Sequence, residues 1–423
     1  MKAFLKKVID SWIFFAFILL LFISAIGVTV YSRDGKDLRV DLFGVEQILQ
    51  GHSPYENPLD PNRTIFRYAP AFTILMYPFL LISRMSAPFQ FNDILPSAFA
   101  WYLTGLFSLA ASAVMLLKLI PSASRQMSIR NLKISLLMAL PLIGYELSNG
   151  QNKLVALCFM LASIVLFEKN RLLACAVFFS LALTIYIALL PFLFYFVLRK
   201  KEFILSFLIA ALIVFFVVPS FIFGITFNAF LLQEWFTHSL KPFFLTSSYA
   251  SYIDLRVSSQ ALPSAIGRLC VSGRTGHFMY FISPLAVHLI IRVFSSLIVA
   301  ASLLAAWKSS RGIARGLEYA IFLTLALLLP QYCIFYTWSY SFVLYFAVFN
   351  YISYGRVPGK QKKALLALTL ILFCVTSLIS IRLLSYYSFL FWATFALWLG
   401  MIVVSIRQAP GRPGAPAPSV AVH

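Results

Sequence analysis

The sequence predicts an all-α polytopic membrane protein, and three observations carry that prediction. Only 11% of residues are charged against 61% hydrophobic, whereas a soluble chain keeps about a quarter of its residues charged to cover its surface. The apolar residues fall in unbroken runs, such as 12–30 and 203–223, near the ~20 residues a helix needs to cross a bilayer. These runs lack the ~10-residue alternating segments of a membrane β-barrel, the other structure that satisfies its backbone in lipid.

Thirteen runs read as candidate spans: 12–30, 70–86, 98–118, 134–147, 154–167, 172–185, 187–198, 203–223, 284–307, 317–331, 338–354, 364–383 and 386–405. Several are short, so the expected bundle holds about 11–13 transmembrane helices. The membrane domain covers 1–408, and the tail 409–423, rich in Pro, Ala and Gly, is expected to be disordered and cytoplasmic. The first run follows Lys2, Lys6 and Lys7 and has the form of a signal peptide. It is longer than the usual apolar region and no small-x-small site closes it, which predicts an uncleaved first span with a cytoplasmic N-terminus.

Basic clusters at Lys169/Arg171, 199–201, Lys308/Arg311/Arg315, 356–363 and Arg407/Arg412 read as cytoplasmic. They predict a multi-pass protein of the cell (inner) membrane with both termini inside. Thirteen crossings cannot achieve that, so at least one run is re-entrant or does not cross. The sequence does not select which; 70–147 is the most ambiguous stretch, because Arg125, Arg130 and Lys133 sit awkwardly on either side. The net charge of +20 is assigned to these loops. No basic stripe shows the exposed aromatic interleaving of a nucleic-acid site, so no nucleic-acid partner is expected. The five cysteines form no CxxC pair, and Cys158, Cys175 and Cys374 lie inside apolar runs, which predicts neither a disulfide framework nor a zinc site. His52, His238 and His277 lack ligand spacing; no metal and no cofactor are expected.

Two long polar connections, 31–69 and 224–283, then fall on the non-cytoplasmic face. The first holds Asp34, Asp37, Asp41, Glu46, Glu56 and Asp60, nearly half of the chain's 14 acidic residues. Within it, 40–49 can form a short amphipathic helix on the membrane surface, ended at Gly51 with a turn at Ser53-Pro54. Carboxylates gathered at a membrane boundary, in a chain poor in acids, mark either a functional site or a solvated loop.

The order of motifs resembles a bacterial family. Asp37-Leu-Arg-Val-Asp41, Ile48-Leu-Gln-Gly51, Pro54-Tyr55 and Phe66-Arg-Tyr68-Ala-Pro70 resemble the start of the polyprenol-phosphate-mannose-dependent α-mannosyltransferase-like group, glycosyltransferase family eighty-seven of the GT-C superfamily. Asn149-Gly150-Gln151-Asn152 is similar to the family's Gly-Gln-x-Asn, Ser259-Gln260-Ala261-Leu262 with Arg268 to its Asn-Gln-Ser-Leu and following Arg, and Trp338 to its late Trp. The resemblance runs from about Asp37 to Tyr354. It departs at Tyr186, ahead of Pro191, where the family usually carries a basic residue; at Ser259, in place of Asn; and at Ser339–Ser341, in place of His residues.

The resemblance implies a GT-C-like bundle and an inverting hexosyltransferase, moving a mannose-like sugar from a polyprenyl-phosphate donor to a lipid or glycan acceptor, with membrane lipids as its surroundings. A base must take the acceptor's proton, and cations must meet the departing phosphate. Asp37 is the expected base and Asp41, one helical turn on, the alternative. Arg39, Arg67 and Arg268 are candidates for the phosphate or for interfacial snorkelling. Gln151 and Asn152 either bind sugar hydroxyls or cap the helix beginning near Lys153. Tyr68 and Gln260 belong to the expected binding set. Tyr55 and Trp338 either stack on sugar or lipid or join an interfacial aromatic belt. The alternative function is a transporter or flippase for a lipid-linked precursor, although no internal repeat of the kind transporters carry is evident; a non-catalytic scaffold is a third reading.

Overall fold

The computed structural model describes residues 36–55, 66–86, 95–120, 122–241, 259–270, 284–309, 315–330, 333–353, 358–378, 384–385 and 387–407. The predicted first span 12–30, the tail 409–423, and Asp34, Glu56, Asp60 and His277 lie outside them. Among the described residues the secondary structure is helical, apart from one isolated antiparallel bridge between Ser259 and Ile334.

The first helix, α1, spans Lys36–Leu49. It begins four residues before the amphipathic stretch expected from the sequence and so takes in both Asp37 and Asp41. Leu38, Leu42, Val45 and Ile48 recur at helical spacing and are buried, a one-sided stripe of the kind that docks a surface helix. The helix ends where predicted. Gly51 takes φ +80, and the His52 N–H returns to the Gln47 carbonyl at 2.9 Å, a left-handed C-terminal cap that glycine adopts without steric cost.

The remaining helices are α2 (Pro70–Ser86), α3 (Leu95–Leu119), α4 (Arg125–Ser148), α5 (Lys153–Glu168), α6 (Leu172–Ile185), α7 (Pro191–Arg199), α8 (Phe203–Phe223), α9 (Ile225–Trp235), α10 (Leu262–Cys270), α11 (Pro284–Lys308), α12 (Arg315–Leu328), α13 (Ser341–Ser353), α14 (Gly359–Ser377) and α15 (Phe389–Arg407). Of these, α3, α4, α8, α11 and α15 are each long and apolar enough to cross a membrane unaided. The run 187–198 is broken: a 3-10 turn at Ile187–Leu189 precedes α7, whose Pro191 stands in the first turn, where its missing N–H costs no helical bond.

Polar contacts sort the bundle into two ends. At one, Glu168 at the close of α5 pairs with Arg315 and accepts from the Tyr319 hydroxyl (2.7 Å), while Glu318 pairs with Arg199 and accepts from Tyr195 (3.3 Å). Lys200 donates to Asn170 (2.6 Å), and Asn131 near the start of α4 donates to Asn350 and Ser353 near the end of α13 (3.1 and 3.0 Å). The opposite end carries α1 and the turns before α5 and after α6. α5, with 16 residues, spans about 24 Å between the two. The described basic residues Lys169, Arg171, Arg199, Lys200 and Arg315 share the first of these ends. Arg125, Arg130 and Lys133 join them, because they flank Asn131, whose side chain bonds Asn350 and Ser353.

α2, one of the expected spans, has 17 residues and is shorter than the five helices that are long enough to cross unaided. Its start is tied to the carboxylate end by the Ala69 N–H on the Thr184 carbonyl (3.3 Å). Its far end returns to α1 through Arg84 and Glu46 (3.0 Å), and the Phe79 carbonyl receives the Ser97 hydroxyl from the opening of α3 (2.7 Å). α2 therefore packs along α1.

Cysteine labelling checks this arrangement. In a chain whose native cysteines are replaced, His52→Cys and Met85→Cys are expected to react with a membrane-impermeant maleimide from the same side, and Asn170→Cys from the other. Labelling of Met85→Cys from the Asn170 side would make α2 a crossing helix.

Candidate active site

The carboxylate face of α1 rests on the turn that opens α5. The Gln151 carboxamide donates to Asp37 Oδ2, and Asn152 Nδ2 reaches Asp41 Oδ2 at 3.5 Å. Gly150 makes this approach possible: it has φ +67, and a Cβ there would lie 3.0 Å from the Leu38 Cβ. The turn is held from behind by the Trp101 indole N–H on the Gly150 carbonyl (3.0 Å).

The expectation that Gln151 or Asn152 caps α5 is met by a different residue. Glu146, fully buried on α4, accepts the Leu154 backbone N–H at 2.6 Å, while the Asn152 side chain makes no capping bond. Asn152 is thereby released to join two charged groups. Its Oδ1 accepts from the Lys153 ammonium (3.2 Å) and its Nδ2 faces Asp41. The Lys153 ammonium stands 5.4 Å from the Tyr68 ring centroid and 4.7 Å from that of Tyr186, within the range of cation–π attraction. The Tyr340 hydroxyl fixes the base of the same residue by donating to its carbonyl (2.9 Å).

The two carboxylates differ in surroundings. Asp41 is only 2% exposed. Burial pushes its pKa well above the usual carboxylate range, and the Asp37 charge one turn away pushes the same way; Lys153 and Asn152 oppose both. Asp37 is half-buried at the start of the helix, where an acceptor can reach it. The two like carboxylates thus differ in burial and in access to an acceptor.

The other residues expected from the sequence divide into two groups. Arg39 and Arg67 are exposed, and Tyr68 is half-buried against Phe72 (4.4 Å between centroids). The Arg67 carbonyl receives the Trp235 indole N–H (3.1 Å), and the Tyr68 carbonyl receives the Tyr55 hydroxyl (2.7 Å). These lie around the carboxylates. Gln260, Arg268 and Trp338 form a second group that braces the same end of the bundle. The Gln260 side chain donates to the Ser385 carbonyl (2.7 Å), Arg268 donates to the Ser259 carbonyl (2.8 Å) and to the Ser388 hydroxyl, and the buried Trp338 indole donates to Thr394 (2.9 Å). Cys333 connects the groups. Its carbonyl takes the Gln260 N–H (2.8 Å), and its thiol lies beside Tyr186 and Lys153.

The profile of Glycosyltransferase family 87 matches residues 66–330, more than half of the chain. The chain belongs to Glycosyltransferase family 87. It is therefore a membrane glycosyltransferase. The match starts at Phe66, so the carboxylate helix α1 precedes it and rests on the geometry described above, whereas Gln151, Asn152, Lys153 and Tyr186 fall inside it. Comparison with curated proteins gives no match.

Sequence reasoning missed Lys153, Glu146 and Tyr340 in this transferase. One signal was available for Lys153: a lone cation directly after Gly-Gln-Asn, at the mouth of an otherwise apolar helix. Its relation to Tyr186 was not available, because the two are separated by the whole of α5 and α6.

The raised pKa of Asp41 has a consequence for stability. Folding favours its protonated form, so its contribution is complete below the ordinary carboxylate pKa and is lost as pH rises through the raised folded value. Asp41→Asn imitates the protonated acid and removes that loss. Thermal melting of the full chain in detergent, followed from about pH 5 to pH 9, should show the variant gaining on the wild type as pH rises. Parallel curves would mean that Asp41 is not buried as an acid beside Asp37 and Lys153.

Proposed function

We propose that this transferase moves a mannose-like hexose from a polyprenyl-phosphate carrier to a lipid or glycan acceptor, with inversion, at the non-cytoplasmic face of the cell membrane. The observation that carries this reading is the pairing of the α1 carboxylates with a buried ammonium at one end of the bundle. The acceptor hydroxyl attacks the anomeric carbon as the bond to the donor phosphate breaks. Asp37 takes the acceptor's proton, and the polyprenyl phosphate leaves as an anion. Asp41, buried one turn away and bonded to Asn152, supports the same helix face. Gln151 orients Asp37 through its carboxamide.

Lys153 is the cation best situated to meet the leaving phosphate. It lies within one residue of the Asp41 partner Asn152 and is sandwiched by Tyr68 and Tyr186. It would supply, from the start of α5, the charge that related sequences carry at the position of Tyr186. Arg39 and Arg67, exposed around the same helix, are further cations for the phosphate, and Arg268 would act by bracing the segment 259–270. The orientation follows from the gathering of basic loops at the opposite end, which by the positive-inside tendency is cytoplasmic. The carboxylates then face outward, at the depth of a lipid phosphate.

The two roles separate in kinetics. Asp37→Asn keeps its shape but accepts no proton, and base catalysis contributes about 10²–10⁴-fold. Transfer should fall at least a hundredfold at matched protein levels, with a smaller loss for Asp41→Asn. A larger loss at Asp41 would move the base there, and near-normal transfer by Asp37→Asn would remove the assignment.

Lys153→Met should weaken transfer roughly tenfold to a hundredfold, the worth of a charge-assisted hydrogen bond. Lys153→Arg should recover part of it. The loss should be larger when polyprenyl-phosphate donor is limiting than when acceptor is limiting; equal losses under both conditions would make Lys153 a structural counter-ion.

A further inference from the structure

Away from the carboxylates, at the basic end of the bundle, α14 and α15 line a groove of ≈ 500 Å³. The helices are close at Gly400, where a Cβ would stand 2.8 Å from Leu368 and 3.4 Å from Leu365. The groove is lined from there by the small residues Ala364 and Ala396 to Lys360, in the first turn of α14, and Arg407, the last residue of α15. Leu368 to Lys360 is eight residues of helix, about 12 Å, close to the depth of one leaflet in a bilayer with a core about 30 Å thick.

We infer that this groove binds an anionic glycerophospholipid, with the phosphate between Lys360 and Arg407 and an acyl chain lying along Ala364, Leu368 and Val403. Charge selects the occupant. The lining carries two cations and no acidic residue, so a zwitterionic lipid would bring an ammonium against two like charges. The Gln361 side chain lines the same groove. The apolar floor requires the tail as well as the head, since the groove is formed mainly by aliphatic side chains. Basic sites between membrane helices suit such lipids. This inference does not depend on the catalytic reading, because no residue of the groove belongs to the carboxylate end.

Native mass spectrometry of the full chain in detergent tests it with phosphatidylglycerol, acyl-matched phosphatidylcholine and water-soluble glycerol phosphate as probes. The wild type should retain phosphatidylglycerol in preference to phosphatidylcholine and should not retain glycerol phosphate. A juxtamembrane cation contributes roughly 1 kcal/mol toward an anionic lipid. The double variant Lys360→Gln/Arg407→Gln should therefore lose the preference by about thirtyfold, equivalent to roughly 2 kcal/mol. Ala364→Leu, which fills the groove and leaves the charge intact, should also lose it. Lys118→Gln/Arg125→Gln, at the same end but outside the groove, should not. Equal retention of the two lipids, an unchanged preference in the Lys360/Arg407 variant, or an equal loss from the Lys118/Arg125 variant would each overturn the assignment.

Discussion

Burying an acid beside an ammonium at the edge of a bilayer is costly, and much of this end of the bundle is arranged to meet that cost. Asp41 sits on the apolar stripe of α1, between Leu38 and Leu42, so docking the helix desolvates it. Partnering removes part of the penalty: Asn152 stands between the carboxylate and Lys153, and two tyrosine rings flank the ammonium. A lone buried charge would shift to its neutral form or destabilise the fold. Here the carboxylates, the carboxamides and the cation form one hydrogen-bonded group whose members come from α1, the turn 149–153 and the segments at Tyr68 and Tyr186. The contact of Gly150 with Leu38 fixes the separation of these pieces, so the group assembles only when α1 docks.

The same logic operates at the other end with the charges reversed in number. There, Glu168 and Glu318 are outnumbered by arginines and lysines, and each is paired with an arginine and a tyrosine hydroxyl. These pairs clamp α5, α7 and α12 together at the end opposite α1. Beside these pairs the helices pack through aromatic rings, such as Phe167, Phe196 and Phe203. A bundle clamped at one end and carrying a docked surface helix at the other is suited to hold a lipid-linked substrate at a fixed depth while its head group meets the carboxylates.

The fold class was legible because lipid leaves the chain few options: long apolar runs must be helices, and charge must gather at their ends. The end of α1 at Gly51 was legible from local chemistry, whereas the break before Pro191 was not, since the run 187–198 reads as one apolar span. The path of α2 was not legible either. Its 17 residues are apolar, and hydropathy does not show which neighbours such a helix takes; the contacts of Ala69 with Thr184 and of Arg84 with Glu46 join distant segments. The site was legible in part. Asp37, Asp41, Gln151 and Asn152 were singled out from their order and do meet, because their spacing places two acids on one helical face and two carboxamides in one turn. The bracing contacts of Arg268 and Trp338 depend on Ser388 and Thr394, more than fifty residues further along, and Lys153 becomes a site residue only through rings contributed by Tyr68 and Tyr186. Non-local burial is what the sequence does not display.

The central claim is that the donor phosphate meets the chain at the turn opening α5, beside the α1 carboxylates. Photo-crosslinking tests it most directly, using the purified full chain in lipid nanodiscs and a polyprenyl-phosphate analogue that carries a diazirine next to its phosphate, followed by mass mapping of the modified peptides. The account predicts adducts on 149–153, 66–69 and 184–187 that a phosphate-free isoprenoid does not produce. Adducts confined to 169–171, 199–202 and 309–315, at the basic end, would contradict it.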